Sequence, residues 1–169
     1  MRPQMAIVLS CDDAAGPHVV AGYAETLSLI ERLHRLVLDV IKDELERSEQ
    51  LELTAVQALL LFNIGARTLT AGELRSRGYY QGSNVSYNVK KLAEAGFIEH
   101  RRSDLDRRTV RIRLTARGME IHGIVADLLR RHAADLGLAD WLRPDGFDRV
   151  NQFLRRLERY WTEEIRFAY

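Results

Sequence analysis

A single cysteine, Cys11, occurs in the 169 residues. One thiol cannot close an internal disulfide, so no covalent framework is expected, and a reducing cytoplasm is the natural setting. Long apolar runs are missing as well. None approaches the ~18 residues that a bilayer-spanning helix needs, so association with a membrane is not expected. Residues 5–11, MAIVLSC, have the outline of a lipoprotein signal with Leu9-Ser10-Cys11 as cleavage tripeptide. Its apolar core is about half the usual length, and Asp12-Asp13 follow at once. The five histidines, His18, His34, His100, His122 and His132, join no Cys, Asp or Glu at a metal-ligand spacing and read as structural. No glycine-rich phosphate loop, nucleophile motif, internal repeat or low-complexity tract is present. Catalysis, cofactors and a metal site are therefore not expected.

What remains is an ordinary globular composition, 46% apolar and 29% charged, at a length that suits one well-packed core. The formal net charge of +1 conceals an asymmetry. Residues 1–70 carry six Lys/Arg against ten Asp/Glu, residues 71–117 eleven against five, and residues 118–169 eight against nine. A basic middle between acidic flanks is the pattern of a segment that meets a polyanion.

The first 20 residues lack periodicity and contain Gly16-Pro17, which reads as a loose arm. A long helix is expected from about Ala24 to Leu45, because Leu27, Ile30, Leu33, Val37, Val40, Ile41 and Leu45 recur at three- and four-residue steps. Two capping boxes follow. Thr54 with Gln57 opens a helix at Ala55–Ile64, and Thr70 with Glu73 a short one ending near Gly78, with Gly65 and Gly78 as stops. After a Tyr79–Gly82 turn, in which Tyr79 and Tyr80 pack, Ser83 caps a helix at about 84–95 that Gly96 closes. Val85, Val89 and Leu92 form its apolar stripe, and Ser83, Asn84, Tyr87, Lys90, Lys91 and Glu94 point away from it. Two short helices about a tight turn make a helix-turn-helix. The period then changes from helix to strand. Residues 97–102 and 109–114 read as the two strands of a hairpin, with a polar tip at 103–108. Thr115 caps a helix at about 117–136, and Pro144-Asp145-Gly146 precedes a last helix bearing Phe147, Val150, Phe153, Leu154, Leu157, Trp161 and Ile165.

From Leu53-Thr54 through Gly118 the chain resembles the MarR-type winged-helix regulators. The likeness rests on Gly96-Phe97-Ile98, on Asp104-Leu105-Asp106-Arg107-Arg108, and on Leu114-Thr115-Ala116-Arg117-Gly118. The resemblance implies that Arg108 enters the minor groove and that Asp106 positions it. It also implies a repressor released by a small-molecule effector, often an aromatic acid, bound between dimer arms and DNA-reading lobe. The segment 82–92 departs from the family's usual Ser/Thr-rich, Arg-containing version, so the operator sequence does not carry over.

The expected fold is mainly α with a small β-hairpin: a winged helix-turn-helix flanked by N- and C-terminal dimerisation helices. Its parts are an arm at 1–20, a dimerisation helix at 21–50, a DNA-binding lobe at 51–118 and C-terminal dimerisation helices at 119–169. The partners expected are double-stranded DNA, a second copy of the chain and an unidentified effector. A major groove about 12 Å wide admits one helix, so Ser83, Asn84, Tyr87, Lys90 and Lys91 are the candidate readers. Asp106, Arg107 and Arg108 form the candidate wing tip, where a narrow minor groove attracts arginine. Arg101, Arg102 and Arg113 are candidate phosphate contacts. Two other readings use the same scaffold: a protein-interaction module without DNA binding, and a redox sensor switched by Cys11.

Overall fold

The computed structural model describes residues 16–70, 73–74, 82–102, 110–138 and 145–167, with residues 82–85, 100–102, 110 and 166–167 described by backbone alone. The chain divides into two compact units, 1–56 and 57–169.

The first unit is built on α1, Pro17–Arg47, a helix of 31 residues. At 1.5 Å per residue it spans about 46 Å. It begins earlier than the hydrophobic period indicates, and residues 17–20 belong to it rather than to an arm. Pro17 is the reason: at the first helical position its fixed φ suits the helix and its missing N–H costs nothing. The helix also runs past Leu45, because its last carbonyls are satisfied without glycine. Glu49 takes a left-handed φ of 58°, and Gln50 N–H donates to Leu45 O at 2.8 Å. Ile41 and Leu45 are its buried residues, whereas Val19, Val20, Leu29, Leu33 and Leu36 are exposed.

The second unit takes in α2, Ala55–Ile64, from Gln57 onward. The helix buries Ala58, Leu60, Leu61 and Ile64 and ends at Gly65, which adopts φ 58° and donates its N–H to Leu61 O at 3.0 Å. A strand follows that the sequence does not announce: β1, Leu69–Thr70. Thr70 ends β1 and also opens the next helical turn. Its N–H donates to Glu73 Oε2 at 2.7 Å, and Glu73 N–H donates to its hydroxyl oxygen at 3.1 Å, the reciprocal bonds of a capping box. Leu74 is fully buried, and Gly78, Tyr79 and Tyr80 lie outside the described residues.

The next helix, α3, is Gly82–Glu94. It starts at Gly82, so Ser83 lies within the first turn rather than capping it. Gly96 closes it at φ 77°. Strands β2, Ile98–Arg102, and β3, Val110–Leu114, pair antiparallel, and β1 adds to β3 to give the order β1-β3-β2. The last helices are α4, Ala116–Asp135, and α5, Gly146–Phe167. Thr115 caps α4, its hydroxyl accepting Gly118 N–H at 3.1 Å.

Phe97, Leu60, Leu61, Ile64, Leu92, Ile112, Ile121 and Val125 make the centre of the second unit's core. His122 on α4 ties into α2: its ring stacks on Phe62 with centroids 5.3 Å apart, and its Nδ1 lies 3.2 Å from Phe62 O. Along α5, Phe147, Val150, Phe153, Leu154, Trp161 and Ile165 are all exposed.

Candidate nucleic-acid interface

The rotation of α3 is fixed by Val89 and Leu92, both buried. That leaves Tyr87 61% exposed and turns Lys90 and Lys91 outward as well. Each lysine ammonium lies 3.8 Å from a Glu94 carboxylate oxygen. Exposed pairs of this kind contribute about 0–1 kcal/mol and are screened by salt, so both cations exchange partners readily. Lys91 Nζ also lies 6.0 Å from the Tyr87 ring centroid, at the outer edge of a cation–π contact. Ser83 and Asn84 are in the first turn of α3 by backbone.

In the hairpin, the register sets Glu99 opposite Arg113 and Arg101 opposite Arg111. Ile112 and Leu114 are buried, and the intervening Arg111 and Arg113 are exposed, as period-two alternation requires. The Arg113 guanidinium donates to Glu99 Oε1 at 2.9 Å, and this hydrogen bond and charge raise an arginine pKa that already lies far above neutrality. The side chain of Glu99 was not singled out from the sequence, yet it holds Arg113, a candidate phosphate contact. Arg101 and Arg102 end β2 by backbone. Asp106, Arg107 and Arg108 lie in 103–109, outside the described residues.

The junction between α3 and the hairpin holds further residues that sequence reasoning left without a role. Arg117 Nη1 donates to Ala95 O at 2.7 Å, and its guanidinium carbon sits 4.3 Å from the Phe97 ring centroid. The Thr115 hydroxyl donates to Gly96 O at 2.7 Å, and Thr115 N–H to Phe97 O at 3.1 Å. A Cβ at Gly118 would overlap the Phe97 carbonyl oxygen. The Leu-Thr-x-x-Gly motif was thus visible, but only as a likeness; its contacts with residues 95–97 need the fold.

A cavity of about 340 Å³ lies within the first unit, lined by Leu38, Leu45, Leu51, Leu53 and also by Asp39, Lys42 and Glu46. Lys42 pairs with Glu46 at 3.7 Å, which leaves Asp39 to give the pocket a negative balance. Among the described residues no cluster of His, Cys, Asp or Glu is arranged to hold a metal ion, and no helix is long and apolar enough to cross a membrane.

Comparison with known proteins matches residues 53–118 to the winged helix DNA-binding domain family. The exopolysaccharide II synthesis transcriptional activator ExpG of Rhizobium meliloti (strain 1021) is 31% identical over 157 residues, 93% of this chain and 80% of that protein. Among solved structures, the transcriptional regulator SlyA superposes with a TM-score of 0.68 at 19% identity, over 85% of this chain and 99% of that one. Streptococcus pneumoniae FabT in complex with DNA gives a TM-score of 0.61 at 22% identity, over 83% of this chain and 98% of that one.

Proposed function

The chain belongs to the MarR-type winged-helix DNA-binding transcription regulators, and from that premise we propose that it acts as a homodimer on a pseudo-palindromic operator. Family and fold are those of regulators rather than of enzymes. One observation carries the assignment of the reader: α3 buries Val89 and Leu92 while leaving Tyr87, Lys90 and Lys91 on its outer side. In this reading Ser83, Asn84, Tyr87, Lys90 and Lys91 meet the major groove, Arg107 and Arg108 enter the minor groove with Asp106 orienting Arg108, and Arg101, Arg102 and Arg113 meet phosphates.

The dimer is supported by the exposed apolar residues of α1 and α5, a pattern that marks surfaces covered by a partner. An effector has a candidate pocket in the cavity of the first unit. With two carboxylates against one ammonium, that pocket favours a neutral or cationic apolar molecule over the aromatic acid that the resemblance implies. The sign of regulation depends on where the operator lies relative to the promoter. The likeness to the family suggests repression, whereas the Rhizobium relative is named an activator; a reporter fused to the bound promoter, with and without the protein, separates the two. A cytoplasmic setting follows from DNA as partner.

The test is a contrast between the two reading elements. Arg108→Ala weakens binding to operator and random duplex together, because a minor-groove arginine reads width and potential. Tyr87→Ala or Asn84→Ala costs about 1–3 kcal/mol on the operator alone. Equal behaviour of Arg108→Ala and parent on every duplex refutes the wing assignment. A protein-interaction module would show no salt-dependent binding to duplex at all, and a Cys11 switch predicts that Cys11→Ser abolishes oxidant-driven release.

A further inference from the structure

We propose that Arg117 is a positioning residue for sequence recognition: it locks the C-terminal end of α3 to the base of the wing, and so sets where the far end of α3 falls in the major groove. The inference rests on the reading of α3 as the recognition helix.

The last carbonyls of a helix have no partner within it and carry partial negative charge. The carbonyls of Lys91, Leu92 and Ala93 accept from the N–H groups of Ala95, Phe97 and Gly96, and the next three after Glu94, at the cap and just beyond it, are engaged by the segment that opens α4. Ala95 O accepts from Arg117 Nη1 at 2.7 Å, Gly96 O from the Thr115 hydroxyl at 2.7 Å, and Phe97 O from Thr115 N–H at 3.1 Å. Phe97 is fully buried and Gly118 packs on its carbonyl. β2 begins at Ile98 and β3 ends at Leu114, so the recognition helix, both hairpin strands and α4 all meet at this knot. Two of the three bonds are made by Thr115, which is itself held as the cap of α4. Arg117 makes the third, and it holds the carbonyl closest to the helix. A guanidinium suits the place because its carbon can sit over the Phe97 ring, 4.3 Å from the centroid, while an N–H reaches the Ala95 carbonyl, and because a cation is favoured at a helix C-terminus.

The lever is long. α3 has 13 residues, so it spans about 20 Å, and a tilt of about 5° at its clamped end moves its first turn by about 1.7 Å. Hydrogen bonds to base edges work within about 2.7–3.2 Å and do not survive such a shift. Lysine and arginine contacts to phosphate, made by long flexible side chains, do. Loosening the clamp therefore removes specificity before it removes affinity.

The probes are the duplex that the full-length parent protein enriches from genomic DNA and a random duplex of equal length, measured by fluorescence anisotropy at matched salt. Arg117→Met retains an unbranched stem over Phe97 and removes the charge and the N–H donors. We expect about a tenfold loss on the enriched duplex, less than threefold on random duplex, and an unchanged salt slope. Equal losses on both duplexes, with the log–log slope shallower by about 0.9, mean that Arg117 neutralises a phosphate itself and overturn the positioning role. Lower thermal stability with an unchanged ratio of the two affinities also overturns it, since that is what a merely structural arginine produces. Arg117→Lys retains a cation and a donor but not the guanidinium fork; an intermediate ratio is expected, and it replaces the methionine variant should that one not fold, an unchanged ratio again refuting the proposal. Tyr87→Ala is measured alongside. If it keeps full preference for the enriched duplex, α3 is not the reader and both conclusions fall. If Tyr87→Ala loses that preference and the Arg117 variants do not, only the positioning role fails.

Discussion

Two glycines of the same helix should respond to alanine with opposite signs. Gly118 and Gly123 both lie in α4, where alanine is favoured over glycine by about 1 kcal/mol on intrinsic grounds. At Gly123 a Cβ meets nothing within 4 Å, so Gly123→Ala should realise that gain. At Gly118 the Cβ would overlap the Phe97 carbonyl oxygen and come within 3.2 Å of its carbon and 3.3 Å of Leu114 Cβ. None of these atoms is the free end of a flexible side chain. Either Phe97 or the first turn of α4 must move, and movement stretches the Thr115 N–H bond to Phe97 O, now 3.1 Å. Overpacking of this kind costs about 1–3 kcal/mol, and a weakened backbone hydrogen bond about 1 kcal/mol more.

Against the propensity gain, the expected net loss for Gly118→Ala is about 2 kcal/mol. For a chain of this size that corresponds to a Tm lower by about 4–8 °C, while Gly123→Ala should raise Tm by up to about 4 °C. Thermal and urea unfolding followed by circular dichroism check both, at one fixed protein concentration because the proposed dimerisation would be linked to folding. A Gly118→Ala protein as stable as the parent would refute the close approach of α4 to Phe97. Equal shifts of the same sign in both variants would show that neither depends on its surroundings.

The exposed residues of α5 predict that Trp161→Glu or deletion of 147–169 yields monomer or insoluble protein; light scattering giving about 19 kDa for the parent at micromolar concentration would refute the dimer. Two recognition helices related by a two-fold axis predict half-sites about one helical turn apart in a footprint, and one short asymmetric protected region would contradict that. If six to ten phosphates are neutralised, the log–log salt slope should be about −5 to −9. Glu99→Gln should strengthen binding to random duplex about two- to fivefold at low salt, with the gain fading as screening rises; an unchanged affinity at every salt concentration would mean that Arg113 meets no phosphate.

The elements with internal glycine stops or capping boxes were legible. Helix α2 falls where Thr54 and Gly65 bracket it, and Thr70 and Glu73 form their reciprocal bonds. The hairpin was legible within one residue at each strand start, because Val110, Ile112 and Leu114 alternate with polar residues. The ends of α1 were not. Pro17 can equally open a helix or interrupt one, and Glu49 takes the left-handed conformation with no glycine to announce it. Strand β1 was invisible for a different reason. Two residues cannot display a period, and Leu69–Thr70 becomes a strand only because β3 offers Ile112 and Arg111 as partners. For the interface, the outward placing of Tyr87, Lys90 and Lys91 on α3 followed from periodicity alone, since Val89 and Leu92 fix the rotation. Glu99 and Arg117 did not follow, because their partners stand 14 and 22 residues away and nothing local pairs them.

The carboxylates of the interface bear on how it discriminates. Lys90 and Lys91 share Glu94, and Arg113 is held by Glu99, so these three basic side chains begin with an acidic partner. A surface of unpaired cations would bind any duplex tightly and dwell on random sequence. A phosphate contact by Arg113 replaces its exposed ion pair with Glu99, and the difference between two exposed pairs is small. Affinity for any duplex is thereby held down, while base contacts add about 1–3 kcal/mol each on the operator. Specificity is a difference of affinities, so a cost borne in both complexes lowers occupancy of random sequence and leaves the discrimination to the base contacts. The same reasoning gives the carboxylate variants a second signature: Glu99→Gln should raise affinity for random duplex and for the operator by similar factors at a given salt concentration, leaving their ratio unchanged.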